Sequence, residues 1–234
     1  MDSARIRDLL RPFFEAQGLD LRSLSFQPGV DPEESAVLTE SQVQQLSAYL
    51  DLLLRWNSRV NLTAIREPQE IVSRHFGESL FAAQQLFPPE LDLNPQHPPR
   101  LLDFGSGAGF PGLPIKIWAP RIELILIESN QKKATFLREV IRALGLDSAD
   151  VLCGRAEDFQ HQADVVSVRA VEQFERSLPI AAHLVATGGR LALLIGESQV
   201  SRAQALERKF HWQPSIPIPL SSNRVLLIGT KGSR

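Results

Sequence analysis

The chain predicts an α/β fold: an open, doubly wound parallel sheet with a terminal antiparallel hairpin and an N-terminal helical extension. Three observations carry this. Short runs rich in Val, Ile and Leu alternate with helical patterns through the later part of the 234 residues, the arrangement of a parallel sheet with right-handed crossovers. A proline-rich stretch separates that part from an amphipathic opening. The last two apolar runs, PSIPIPL and RVLLIGT, are separated only by SSN, which suits a hairpin.

Composition sets the frame. With 43% hydrophobic and 22% charged residues and a mean hydropathy of -0.09, the chain is an ordinary globular one, and disorder is excluded as its main state. The longest apolar run, around 122–127, is broken by Glu123 and falls far short of the ~20 residues a bilayer requires. The opening MDSARIRDLLRPFFEA alternates charge with hydrophobe and has no apolar h-region, so a cytoplasmic protein without membrane attachment is expected. A single cysteine, Cys153, and five scattered histidines point away from an internal disulfide or a structural metal. A net charge of -2 argues against nonspecific coating of nucleic acid but leaves room for a local basic groove. A monomer is expected.

Three amphipathic helical patterns come first. In the second, Thr39 is placed to cap a segment whose Val43, Leu46, Leu50, Leu53 and Leu54 recur at steps of three and four, forming an apolar stripe that needs a partner. Residues 19–37 carry Pro28, Gly29 and Pro32 and predict an irregular connection. A further helix is predicted over 68–87. The stretch PPELDLNPQHPP, residues 88–99, holds five prolines and reads as a stiff linker. The domain boundary is therefore placed there: a helical extension over 1–87, the linker over 88–99 and a ligand-binding domain over 100–234.

Beyond the linker, RLLDFG, IELILIES, DVLC, ADVVSV and RLALLIG predict successive strands. Between them fall helices over 114–118, 131–144 with Gly145 as the stop, 174–186 and 199–210.

The turn LLDFGSGAGFPG, residues 101–112, is the most informative segment. Gly105, Gly107 and Gly109 follow a strand directly, which lets the backbone turn sharply and approach a ligand closely; a purely structural strand-to-helix turn is the alternative. GAGFPG matches the dinucleotide pattern G-x-G-x-x-G formally. Asp103 argues against that ligand, since a carboxylate beside the turn repels a pyrophosphate, whereas the ammonium and sulfonium of S-adenosylmethionine are favoured by it. Glu128, ending the next strand, is placed to accept hydrogen bonds from ribose hydroxyls, a feature both cofactors use. GRAEDF puts Ala156 and Glu157 near the third strand's end, where an adenine edge would lie. SVRAVE puts Arg169 at the ligand edge of the sheet, with an ion pair to Glu157, Asp103 or Glu172 as its structural reading.

Together VNLTAIREPQEIVSRHFGES, LLDFGSGAGFPGLPIKI, GRAEDF and SVRAV, spanning about residues 56–196, resemble the ribosomal small-subunit methyltransferase G family. The resemblance implies a Rossmann-like class I methyltransferase sheet that carries a methyl group from S-adenosylmethionine to N7 of a guanine in the 530 loop of 16S rRNA, with 16S rRNA or the small ribosomal subunit as partner. By motif it implies cofactor contacts at Gly105, Phe110, Ala156, Glu157 and Arg169, to which the fold reading adds Asp103, Gly107 and Glu128. Two departures stand out: Ile195-Gly196 where Lys-Gly is frequent, and Glu78-Ser79 where Asp-Ser is common.

Guanine N7 has a free lone pair, so alignment of the reactants suffices and no general base is assigned. Phe110 is either an aromatic face for the cationic product or packing beside the cofactor. Asn61, Arg74 and His75 are the expected RNA contacts, and Arg59, Arg66, Lys132, Lys133, Arg138 and Arg142 are further phosphate candidates or a solvated face. Two rival readings stay open here: a methyltransferase of small molecules or proteins, and a noncatalytic nucleotide-binding module.

Overall fold

The computed structural model describes residues 1–15, 38–89, 91, 94–170 and 173–232. The connection expected at 19–37 and Glu172 lie outside the described residues.

Helices α1 (Ser3–Glu15) and α2 (Glu40–Asn57) open the molecule. Thr39 caps α2 in a reciprocal box, its hydroxyl accepting from Gln42 N at 3.2 Å while Thr39 N donates to the Gln42 side chain at 2.8 Å. The expected stripe is buried through Val43, Leu46, Leu50 and Leu53, joined by Tyr49, with Leu54 only half-buried. The next helical stretch consists of α3 (Pro68–Glu70), a π-helix (Ile71–Gly77) and α4 (Glu78–Leu86). Hydropathy periodicity predicted the stretch but not the wider turn in its middle, which carries Arg74 and His75.

The sheet comprises β1 (Arg100–Phe104), β2 (Glu123–Glu128), β3 (Ala149–Cys153), β4 (Ala163–Arg169), β5 (Val185–Gly196), β6 (Phe210–Trp212), β7 (Ile216–Pro217) and β8 (Arg224–Lys231). Its order is β3-β2-β1-β4-β5-β8-β6, with β7 also paired to β8. The first five strands are parallel, and β8 runs antiparallel to β5. Strand order reverses between β1 and β4, the point near which open α/β sheets offer a crevice outside the carboxyl ends of their strands.

Helices α5 (Gly112–Trp118), α6 (Gln131–Leu144), α7 (Phe174–His183) and α8 (Val200–Leu206) supply the crossovers. Asn130 caps α6 through Lys132 N and Lys133 N, and Gly145 ends it at φ 60°, the left-handed conformation glycine adopts without penalty. Two expected boundaries move. The α7 segment stops at His183 because Val185 already pairs with Ala163. The α8 segment stops at Leu206, since Phe210 and Trp212 alternate into β6 against β8, a strand the sequence reading did not contain. The terminal hairpin is present as β7 against β8, but only Ile216 and Pro217 take part, and β8 pairs chiefly with β5.

One apolar core runs from Ile6 through Leu50 and Leu80 to Leu113 and Phe136, so the opening helices and the sheet's α5–α6 face bury each other's stripes. Gln42 Nε2 donates to Ile117 O at 2.8 Å, Gln45 Nε2 to Leu144 O at 2.9 Å, and Trp118 Nε1 to Phe87 O at 2.8 Å. Packing is close enough at Gly77 that an added Cβ would lie 2.3 Å from a Phe13 ring carbon. The opposite sheet face forms a second core with α7 and α8. Among the described residues, no helix is long and apolar enough to cross a membrane.

Candidate active site

The glycine turn leaves β1 with Gly105, Gly107 and Gly109 at φ 67°, 57° and 91°, conformations that cost other residues ~1–2 kcal/mol. Space above Gly107 is open: an added Cβ would meet only Gly105 O, at 3.8 Å. Gly109 is the reverse, with Leu113 Cδ1 at 2.4 Å and the Tyr49 hydroxyl at 2.6 Å from such a Cβ. The Tyr49 hydroxyl donates to Ala108 O, so α2 holds the turn directly. Sequence reasoning missed this; the signal was the chain's single tyrosine on an otherwise aliphatic stripe.

Asp103 is fully buried beneath the turn, accepting from Ser167 Oγ at 2.8 Å and Gly112 N at 3.3 Å. Burial raises its carboxyl pKa to about 6 against these hydrogen bonds, so it remains mainly ionised at neutral pH. It braces the turn from beneath and does not line the crevice, so the structure does not place the carboxylate expected among the cofactor contacts at the crevice surface. Glu128 accepts from Gly107 N at 2.8 Å and Asn130 N at 2.7 Å, one amide per oxygen, which leaves each oxygen a second lone pair for a hydroxyl.

A crevice of about 370 Å³ opens over the ends of β1, β2 and β3. Gly105, Ala156 and Glu157 line it together with Ile127, Ser129 and Arg176. Ala156 is buried in a 3₁₀ turn (Ala156–Asp158), and Glu157 is exposed.

Phe110 and Arg169 belong to a separate cluster. The Phe110 ring stacks on His75 at 4.7 Å and on Tyr49 at 5.4 Å between centroids, and Arg169 Cζ lies 5.8 Å from its centre. Phe110 is thus a packed ring rather than an open aromatic face. Arg169 is buried, and its counter-ion is Glu78, with Nη2 to Oε2 at 3.0 Å, not Glu157 or Asp103. Its Nη2 also donates to Arg74 O at 3.0 Å and contacts His75 Nδ1 at 2.9 Å. Nη1, equally buried, has no hydrogen-bond partner among the described residues. Burial, partly offset by Glu78, lowers the guanidinium pKa to about 10.

The tautomer of His75 follows from its neighbours. A guanidinium only donates, so Nδ1 accepts, and Nε2 carries the proton toward Thr63 Oγ1 at 2.8 Å. Burial, with the charges of Arg169, Arg74 and Arg224, depresses the ring's pKa to about 3. His75 is therefore neutral with both nitrogens engaged inside the protein, so the structure does not present either nitrogen for the RNA contact expected of it. Arg74 points its side chain outward, paired with Glu70 at 3.2 Å and half-exposed. Asn61, Arg59, Arg66, Lys132, Arg138 and Arg142 are exposed, Lys133 half-buried, and the structure brings none of them to the cluster. Ile195 is buried in the second core, so no basic group faces the crevice there. Thr63, Glu78 and Arg224 are further members that sequence reasoning missed.

The model of the family described as rRNA small subunit methyltransferase G matches residues 42–222. Proteins named Ribosomal RNA small subunit methyltransferase G are similar: that of Aquifex aeolicus is 46% identical over 143 residues, 61% of this chain and 71% of the relative. That of Chloroflexus aggregans is 38% identical over 180 residues, 74% and 72% of the two chains. Among solved structures, a SAM dependent methyltransferase from Aquifex aeolicus superposes with a TM-score of 0.54 at 13% identity, over 73% of this chain and 97% of the other. Pyrococcus horikoshii TYW2 in complex with MeSAdo gives 0.53 at 18% identity, over 68% and 63%. These likenesses show the class I methyltransferase fold. The sequence match goes further: the chain belongs to the rRNA small subunit methyltransferase G family.

Proposed function

We propose that this protein transfers a methyl group from S-adenosylmethionine to N7 of a guanine in the 530 loop of 16S rRNA, acting in the cytoplasm as a monomer on rRNA or the small subunit. Family membership supports the substrate. The observation that carries the atom is His75 in the cluster beside the glycine turn: its lone pair is committed to Arg169 and its other nitrogen is protonated. Asp103 is sealed beneath the turn. With neither of these two groups free to take a proton, the site suits an acceptor atom that has no proton to lose.

The residues fit the cofactor. Among the described residues Arg169 Nη1 is a buried donor without a hydrogen-bond partner, suited to a carboxylate, and Glu128 keeps free lone pairs beside an open Gly107. Gly105, Ala156 and Glu157 would flank the adenosine portion, and Arg169 would hold the amino-acid portion. When bound, S-adenosylmethionine supplies an electrophilic methyl group on sulfur. The chain's own contribution is alignment: Tyr49 and Asp103 fix the turn, and Phe110, stacked by His75, fixes Arg169. Such positioning is worth several powers of ten in rate.

The test is labelled methyl transfer into undermethylated 30S subunits, followed by reduction, aniline cleavage and primer extension. The expected result is cleavage at one guanine of the 530 loop. Methyl incorporation without cleavage overturns N7, and incorporation only into protein or small molecules overturns the rRNA substrate.

A further inference from the structure

We infer that the groove between the π-helix and the turn joining β7 to β8 is a phosphodiester site, in which Arg224 and Arg74 hold the RNA backbone beside the acceptor nucleotide. This rests on the rRNA reading above.

Position is the first argument. Arg224 begins β8 opposite Gly196, the last residue of β5. The groove therefore opens at the same sheet edge as the cofactor crevice, but beyond β4, on the side left for an acceptor. It encloses about 350 Å³ and is lined by Ser73, Arg74, Glu78, Ser222, Asn223 and Arg224. Glu78 joins the two regions, since its Oε2 lies 3.0 Å from Arg169 Nη2 and 3.1 Å from Arg224 Nε.

Charge is the second. Two guanidiniums share one buried carboxylate, which leaves one positive charge uncompensated among the described residues in a partly desolvated wall. The Arg74 pair with Glu70 is about half-exposed on both sides and is worth little, so Arg74 can exchange that carboxylate for a phosphate at small cost. A phosphodiester brings one negative charge and only acceptor oxygens, which matches guanidinium donors in kind and number. Beside these groups, Leu220 is 73% exposed and offers an apolar contact to an adjacent base or ribose. Arg224 lies just outside the residues that the family match covers.

The experiment measures binding of a 16S rRNA fragment containing the 530 loop across a salt series, with cofactor affinity measured by calorimetry. Arg224→Gln is expected to weaken RNA binding about tenfold and to reduce the salt slope by about one, with cofactor affinity within about twofold of wild type. Ser222→Glu places a negative charge in the groove from an exposed turn where folding is not at risk, and should weaken RNA binding several-fold at unchanged melting temperature. Wild-type RNA affinity and salt slope in both variants would overturn the site. If the wild-type protein itself neither binds nor methylates the rRNA, the substrate reading fails first, and the two failures are thereby distinguished.

Discussion

Over the ends of β1, β2 and β3 the turn and the crevice beside it rest on local devices: three glycines at positive φ and a 3₁₀ turn, each close in sequence to its strand. Across β4 the wall is made of side chains from distant parts of the chain, with Thr63, His75, Glu78, Phe110, Arg169 and Arg224 linked by hydrogen bonds, stacking and ion pairs. The first kind of wall fails when a side chain is added. The second fails when its shared carboxylate, Glu78, is removed, because Arg169 is then left buried without its counter-ion, whereas loss of Arg224 at the rim leaves that pair standing.

The largest effect should come from removal at the centre of the second wall. Glu78→Ala strips the shared carboxylate from Arg169 and Arg224, and breaking a buried pair costs ~3–5 kcal/mol. Denaturant unfolding monitored by circular dichroism measures this. A loss below about 1 kcal/mol would mean that the arginines find water or other acceptors, and the contrast between the walls would be wrong.

Additions to the first wall sharpen the same contrast, since two neighbouring glycines should respond differently. Gly109→Ala combines the positive-φ penalty with a collision against Leu113 and Tyr49, together ~2–5 kcal/mol. Gly107→Ala carries the φ penalty with open space around it, ~1–2 kcal/mol. The ligand side reverses the order for a larger residue: Gly107→Val should abolish cofactor binding while the protein stays folded, because its side chain fills the open approach. Paired melting curves and calorimetry check both. Equal destabilisation by the two alanines would remove the distinction.

This contrast also explains how much was legible beforehand. The glycine turn, the strand before it and the caps of α2 and α6 are local devices, readable from spacing within a few residues. Glu78 was visible only as a conservative departure, since its role depends on two arginines reached through the fold from Arg169 in β4 and Arg224 in β8. His75 was assigned to the RNA wall because sequence gives its neighbours along the chain, not the Phe110 ring above it. The π-turn that aims it defeats a 3.6-residue period, and β6 was absorbed into a helix because two aromatic residues at alternate positions are too few to set a period.

The smallest effect in the wild-type protein concerns pH, and it arises from cancellation between the walls. Asp103 has its pKa raised from 3.8 to about 6 by burial, so between these values the folded state holds a proton that the unfolded chain has released. Its contribution to stability is present below 3.8 and is lost as pH rises through about 6. His75 is depressed from 6.5 to about 3, so the unfolded chain binds the extra proton. Its contribution is present above 6.5 and is lost as pH falls toward 3. Between about pH 4 and 6 the two slopes oppose each other, each with a limit of about 1.4 kcal/mol per pH unit, and their sum is close to zero. Variants expose the components. His75→Asn should leave a protein whose stability falls as pH rises across that window, and Asp103→Asn one whose stability rises. Urea unfolding of the three proteins at half-unit intervals, each compared with its own value at pH 7, reads the slopes as differences from wild type. Parallel profiles in all three would show that neither group titrates as its burial requires, and would remove both the neutral His75 and the sealed Asp103 from the account of the site.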